Sequence, residues 1–252
     1  MKKFQIKKDN QIFSRFEIKY VLKKEKSSII QNEIKNFMIS DKYLKEDYTK
    51  RYYVRSLYFD NDCFSHFNEK ADGIKNRHKF RIRTYSDQFN KDSIFYLEQK
   101  GRDNERTYKV RTKINKDDLD LFFDKKELFK LKKRYPENYL IEKFIFDMYR
   151  KKLSPKVLVD YFRRPLVNKS GLYFRITFDS ILRASASDTL FNPKNSWKNC
   201  IKGYETLEVK FDQTIPPWFQ KIIQNFELRR VSISKFLLGT ETTGLAEDFD
   251  SK

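Results

Sequence analysis

The sequence predicts an α+β fold, an antiparallel β-barrel forming a basic tunnel, surrounded by α-helices. Three observations predict it. Eight segments alternate apolar and polar residues with period two, as strands do. Stretches between them carry apolar residues at helical spacing. The polar positions of the strands are dominated by Lys and Arg.

The first strand covers Arg15–Val21, with Arg15, Glu17 and Lys19 on one face and Phe16, Ile18 and Tyr20 on the other. A helix over Lys23–Ile39 follows, with Ile29, Ile30, Ile34, Phe37 and Met38 at helical spacing. Val54–Phe59 reads as the next strand. In Lys79–Tyr85, Lys79, Arg81 and Arg83 share a face opposite Phe80 and Ile82. Ile94–Lys100 sets Glu98 and Lys100 against Phe95 and Leu97. Tyr108–Ile114 sets Lys109, Arg111 and Lys113 against Tyr108, Val110 and Thr112. Helices are expected over Asp117–Tyr135, which opens with two Asp where the helix dipole favours them, and over Asn138–Leu153. Strands return at Val157–Arg163, at Leu172–Phe178 with Arg175 opposing Phe174 and Ile176, and at Tyr204–Phe211 with Glu208 and Lys210 opposing Leu207 and Val209. Pro216 and Pro217 set up a helix with Trp218, Phe219, Ile222, Ile223 and Phe226 on its apolar side, since Pro is tolerated in the first turn. A short helix over Ser234–Leu238 is expected to stop at Gly239. The aromatic stripes of these helices read as core, not as cofactor sites.

The 252 residues fit one domain over 1–252, with a core from about residue 12 to 240 and short polar tails. A mean hydropathy of −0.79 would suit a loose chain, but 24 Phe and 15 Tyr argue for a folded one, because disordered chains are poor in aromatics. The net charge of +19 points to an anionic partner. Nucleic acid, a membrane surface and phosphate-rich small molecules all satisfy that charge. Cys63 and Cys200 make no disulfide framework or zinc motif, and two His (His66 and His78) argue against a histidine metal site or triad. The first ten residues are too polar for a signal peptide, and no apolar run approaches the roughly 20 residues that span a bilayer. A reducing compartment, the cytoplasm, is expected. There is no GxxxxGK[ST] loop and no kinase HRD…DFG set. With six Gly in the chain, side chains rather than a Gly-rich backbone cradle must recognise phosphate.

The charged strand face has two readings. One is the solvated side of an ordinary antiparallel sheet. The other is a tunnel lined by Lys and Arg, with the apolar faces packed outward under the helices. A solvated face usually mixes Thr, Ser, Gln and both charges, whereas here Glu17, Glu98 and Glu208 are sparse exceptions. Like charges at Lys79, Arg81 and Arg83 repel unless a polyanion offsets them. The tunnel is the favoured reading.

Eight motifs come in series: Arg15–Tyr20 (RFEIKY), Ser56–Asp60 (SLYFD), Lys79–Arg83 (KFRIR), Leu97–Lys100 (LEQK), Tyr161–Arg163 (YFR), Phe174–Asp179 (FRITFD), Leu207–Lys210 (LEVK) and Ser234–Phe236 (SKF). In that order the chain resembles the VTC domain, the catalytic core of the vacuolar transporter chaperone polyphosphate polymerase, within the triphosphate tunnel metalloenzyme superfamily. The resemblance implies a metal-dependent phosphotransferase that uses ATP and inorganic polyphosphate, with Mn²⁺ or Mg²⁺ and no nucleic acid. It implies that Lys19, Arg81, Arg83, Lys100, Arg163 and Arg175 act on the triphosphate, and that Lys109, Lys210, Ser234 and Lys235 contact phosphates. Arg111 joins this set from its strand face. Glu208 is the implied metal carboxylate. Glu17 and Glu98, at ExK positions, either contribute to the metal or form structural ion pairs with neighbouring cations. Ser232 stands where eukaryotic members often carry a lysine, so one terminal contact is expected to be either absent or supplied by Arg229 or Arg230. The resemblance is to a stand-alone bacterial type, expected to lack the SPX domain and membrane segments of the eukaryotic complex. A tripolyphosphatase or nucleoside triphosphatase of the same fold remains open. So does a non-enzymatic polyphosphate or nucleic-acid binder, which would show its Lys and Arg on loops and one outer face.

Overall fold

The computed structural model describes residues 16–41, 44, 51–104, 106–170 and 173–247. Arg15 and Leu172, at the starts of two expected strands, lie outside them. The elements run β1 (Phe16–Lys23), α1 (Lys24–Glu33), β2 (Met38–Ser40), β3 (Tyr52–Asp60), α2 (Ser65–Ala71), β4 (Arg77–Thr84), β5 (Phe95–Asp103), β6 (Arg106–Ile114), α3 (Leu128–Arg134) and α4 (Tyr139–Arg150). Then come β7 (Ser154–Asn168), β8 (Phe174–Ala186), β9 (Lys198–Asn199), β10 (Tyr204–Phe211), α5 (Pro217–Asn225) and α6 (Lys235–Thr243).

All ten strands join one antiparallel sheet in the order β1-β10-β8-β7-β3-β4-β5-β6, with β2 beside β7 and β9 beside β8. The fold is α+β as expected, but the sheet is not a closed barrel: among the described residues its end strands β1 and β6 do not pair. It curls instead. Lys100 on β5 reaches Glu17 on β1 at 3.3 Å, although five strands lie between them in the sheet order.

The alternation explains the packing. The convex face of β3 to β6 buries Leu57, Phe59, Phe80, Ile82, Phe95 and Leu97 against Leu128 and Leu131 of α3 and Leu140, Ile141 and Phe144 of α4. The convex face of β1, β10 and β8 buries Tyr20, Leu207, Val209 and Ile176 against Ile30 of α1 and Phe219 and Ile222 of α5. Both clusters are what an apolar strand face under an amphipathic helix produces.

The concave face is not charged throughout. Its second half carries Val54, Val157, Val159, Leu182 and Ala184, and α6 packs Phe236 into it. A bulge on β8, with Ile181 at φ 54°, makes that change possible. It shifts the alternation by one, so Arg175, Thr177 and Asp179 are followed on the same face by Leu182 and Ala184.

Several helix limits differ from expectation. The Lys23–Ile39 helix ends at Glu33, and Met38–Ser40 pairs with β7 instead. Ile29 and Phe37 are exposed as a result. Asp117–Tyr135 divides into a 3-10 segment over Lys116–Phe122 and α3. The last helix runs through Gly239 to Thr243 and stops at Gly244, whose φ of +76° is the left-handed C-terminal cap that glycine supplies.

Candidate active site on the concave face

Antiparallel register sets the site. β1 against β10 puts Glu17 opposite Lys210 and Lys19 opposite Glu208, so charges of both signs alternate across the pair. Lys19 Nζ lies 3.0 Å from Glu17 and 4.0 Å from Glu208. Lys210 Nζ lies 2.8 Å from Glu208 and 3.6 Å from Glu17. Arg163 on β7 donates Nε and Nη2 to the two carboxylate oxygens of Asp179, both at 2.7 Å, and stands 3.9 Å from Glu208. Lys235, the first residue of α6, closes on Asp179 at 2.6 Å.

A second group sits on β4 to β6. Arg81 donates Nε and Nη2 to one oxygen of Glu98 at 2.8 and 2.6 Å, with Arg83 at 3.7 Å and Lys109 at 3.6 Å from the same carboxylate. Arg81 also donates to the Tyr58 hydroxyl at 2.8 Å, and Arg83 to the Tyr161 hydroxyl at 3.1 Å. Arg163 and Lys235 lie over the Tyr161 ring, at 5.3 and 4.8 Å from its centre. That ring ties the two groups together.

Eight cations (these seven and Lys100, which pairs with Glu17) therefore share four carboxylates on one buried surface, and Lys79 beside them makes nine. Burial opposes ionisation of Glu208, but Lys210, Arg163, Lys19 and Lys100 outweigh it and hold the carboxyl well below its usual range. The same balance acts on Glu98, through Arg83, Arg81 and Lys109. Glu17 is also driven down, against burial and the repulsion of Glu208. The cations answer unequally. Glu17 supports the charge on Lys100, yet burial together with Lys19 and Lys210 brings that ammonium down to about 8. Burial first, then Arg83, Arg81 and Arg111, brings Lys109 down to about 8 despite Glu98. Such a surface is short of negative charge.

Two expected residues stand apart. Arg175 is on the concave face but pairs with Asp41 at 3.0 Å and is partly exposed. Arg111 is exposed on β6 with its guanidinium 4.8 Å from the Tyr96 ring centre, and the structure does not bring it into contact with the carboxylates. Ser234 caps α6 and accepts a hydrogen bond from Lys79 Nζ at 3.3 Å. Arg229 and Arg230 are exposed; at Ser232 the nearby cation is Lys70, whose Nζ donates to the hydroxyl at 3.1 Å.

Asp179, Tyr58, Tyr161 and Lys79 were not among the site residues read from the sequence. Alternation carried a signal for the first, since Arg175, Thr177 and Asp179 fall on one face. Nothing local reveals that the hydroxyls of Tyr58 and Tyr161 meet Arg81 and Arg83.

A family model described as the VTC domain matches residues 14–243, nearly the whole chain. The chain belongs to the VTC domain family. No curated protein matches it in sequence. Among solved structures, this VTC domain is similar to a proposed adenylate cyclase from Bacillus halodurans, at 15% identity and a TM-score of 0.50, over 90% of this chain and 95% of that one. It also aligns with the PH1819 protein from Pyrococcus horikoshii, at 14% identity and a TM-score of 0.47, over 90% and 98% of the two chains. The first similarity is one of fold. Together with the family match it makes this a triphosphate-tunnel fold protein.

Among the described residues, no three His, Cys, Asp or Glu side chains are grouped to hold a metal ion, and no helix is long and apolar enough to cross a membrane. The donor chemistry still fits a divalent cation. Glu17 and Glu208 repel each other and share Lys19 and Lys210, and hard cations that bind with phosphate need only one or two carboxylates. Glu98 is enclosed by three cations, the arrangement of a structural ion pair.

Proposed function

We propose that this VTC domain is a polyphosphate polymerase, transferring the γ-phosphate of ATP to a growing inorganic polyphosphate chain. The observation that carries the reading is the cation excess: nine Lys and Arg side chains converge on one concave surface that holds four carboxylates. A linear phosphate polymer supplies the missing negative charge.

In this reading Arg81, Arg83, Lys109 and Arg163 neutralise the charge on the transferring phosphoryl group, and Lys19, Lys100, Lys210 and Lys235 align the phosphates on either side of it. Phosphoryl transfer depends mostly on such positioning and electrostatic stabilisation. The terminal oxygen of the polyphosphate forms a bond to the γ-phosphorus as the bond to the β-phosphate oxygen breaks, and ADP leaves. Glu208, with Glu17, would hold Mn²⁺ or Mg²⁺, which when bound adds further neutralisation of phosphate oxygens. The attacking oxygen is already ionised, so no proton need be removed.

That point favours chain growth over hydrolysis. A triphosphatase must activate water, and each of the four carboxylates is engaged by cations that keep it a poor base. The nucleic-acid reading loses support for a different reason: Phe80, Phe95 and Phe174 are buried in the core, so they offer no stacking platform.

Incubation with ATP and Mn²⁺, followed by gel staining for polyphosphate and a parallel assay of free phosphate, tests the proposal. A ladder of long chains with little orthophosphate is the expected result. Orthophosphate without chains would overturn it.

A further inference from the structure

Strand register places three lysines side by side on the concave face. Lys79 on β4 is directly opposite Lys100 on β5, and Lys100 is directly opposite Lys109 on β6. Neighbouring strands are about 4.8 Å apart, and like charges directly across a sheet destabilise it. Two of the three have an acidic partner: Lys100 has Glu17 at 3.3 Å and Lys109 has Glu98 at 3.6 Å. Lys79 has none among the described residues. Its ammonium donates to the Ser234 hydroxyl at 3.3 Å and lies 4.8 Å from the centre of the Phe236 ring. Around it stand Lys100 of β5, Lys19 of β1, Arg81 of its own strand and Lys70 of α2. Burial and these four cations push the Lys79 ammonium well below the usual lysine range. The protein thus holds a half-buried amine among cations with a hydroxyl and a ring for company.

We propose that Lys79, at the end of this lysine row and beside Lys70, Ser232 and Ser234, is the anchor of an anion subsite that holds the inorganic polyphosphate chain, apart from the Arg81–Arg83 pair that meets the nucleotide. The inference rests on the polyphosphate reading of the concave face. Its ground is the uneven distribution of counter-charge. Arg81 and Arg83 already have Glu98, and Lys235 and Arg163 already have Asp179. The uncompensated charge is concentrated at Lys79, next to the Ser234 hydroxyl, which can donate to a phosphate oxygen. Lys70 Nζ, held on the Ser232 hydroxyl at 3.1 Å, extends the subsite toward solvent.

The test uses the full chain and compares wild type with Lys79→Met, which keeps the apolar stem, and Lys79→Arg, which keeps the charge. Calorimetric titrations with a short linear polyphosphate and with ATP, at fixed salt, give the two affinities. Lys79→Met should lose about tenfold in polyphosphate affinity, the size of one hydrogen bond to a charged group, while ATP affinity changes by less than about threefold. Lys79→Arg should restore most of the polyphosphate binding. Without ligand, Lys79→Met should melt no lower than wild type, because it removes a charge that lacks a counter-ion. Unchanged polyphosphate affinity, or equal losses for polyphosphate and ATP, would overturn the inference and leave the polymerase reading standing. A wild-type chain that binds no polyphosphate would sink both.

Discussion

The sheet carries a buried ionic network on each face, and the two differ in kind. On the convex face Arg55, opposite Asp160 in the β3–β7 register, donates Nε and Nη2 to the two oxygens of that carboxylate at 2.9 and 2.8 Å. Its Nη1 donates to the carbonyls of Asp87 and Leu190. Tyr53 and Arg183 complete the shell of Asp160, and the Trp197 ring covers both arginines. All three guanidinium nitrogens of Arg55 donate to the protein itself. On the concave face the cations outnumber their partners, and Lys79, Lys100 and Lys109 have lost proton affinity. A closed network specifies a fold; an open one with surplus charge is a site for something else.

That contrast can be broken most sharply by mutation. Arg81→Ala, Arg83→Ala and Glu208→Ala should each abolish polyphosphate synthesis, a loss of about a thousandfold or more, with circular dichroism unchanged. Near-normal ATP-dependent synthesis by all three would end the polymerase model. Asp160→Ala should do the reverse. It leaves two arginines without their carboxylate, which costs about 3–5 kcal/mol of stability, while turnover per folded molecule stays at the wild-type level. Similar effects on both faces would erase the distinction.

A smaller effect should come from the missing anion. Tripolyphosphate at about a hundred times its dissociation constant should stabilise the wild type by about 2.7 kcal/mol in a thermal or denaturant melt, and less as salt rises. Asp160→Ala should retain that increment and Arg83→Ala should lose most of it.

The pH dependence separates stability from binding. Lys100 and Lys109 sit at about 8 in the folded chain and near the ordinary lysine value of 10.5 when it unfolds. Between those values the unfolded chain binds more protons than the folded one, so the contribution of these lysines to stability rises with pH across that window. Their repulsion is fully present below it. Phosphate affinity should run the other way and fall as pH passes 8, because the lysines that meet the anion lose their charge. Denaturation midpoints and polyphosphate titrations at pH 7 and pH 9 check both signs, and Lys109→Met should flatten both trends.

Period-two alternation made most of this legible in the sequence. The charge on alternate residues of β1, β4, β5, β6 and β10 does converge on one concave surface, because a curled sheet turns one face of every strand toward the same axis. Of Lys79, Arg81 and Arg83, Lys79 alone lacks an acidic partner among the described residues: Glu98, on the neighbouring strand, pairs with the two arginines, and register is not visible in a local pattern. The open sheet was also beyond reach, since closure depends on whether β1 meets β6, a pairing of residues far apart in the chain. The bulge at Ile181 gave no warning, because a β-branched residue at positive φ is held by its surroundings and not by its own preference. The expected strand ends at Phe178, short of the bulge, and so leaves out the apolar half of the concave face.

Gly239 was read as a helix stop and is instead a point of close approach between α6 and that apolar half, which gives the smallest of the expected effects. A Cβ there would lie 2.9 Å from Val159 Cγ2 and 3.2 Å from the Ala184 Cβ. Alanine gains about 1 kcal/mol of helix propensity over glycine, but the added methyl overpacks a site where Ala184 cannot move without its strand, at a cost of about 1–3 kcal/mol. Gly239→Ala should therefore destabilise the chain by about 1 kcal/mol. The helix that must shift carries Lys235 in its first turn and Ser234 as its cap, so the KM for polyphosphate should rise by a few-fold while kcat at saturation holds. A loss of kcat with KM unchanged would mean that α6 serves the chemical step itself, and the division between an apolar anchor and a charged site would have to be redrawn.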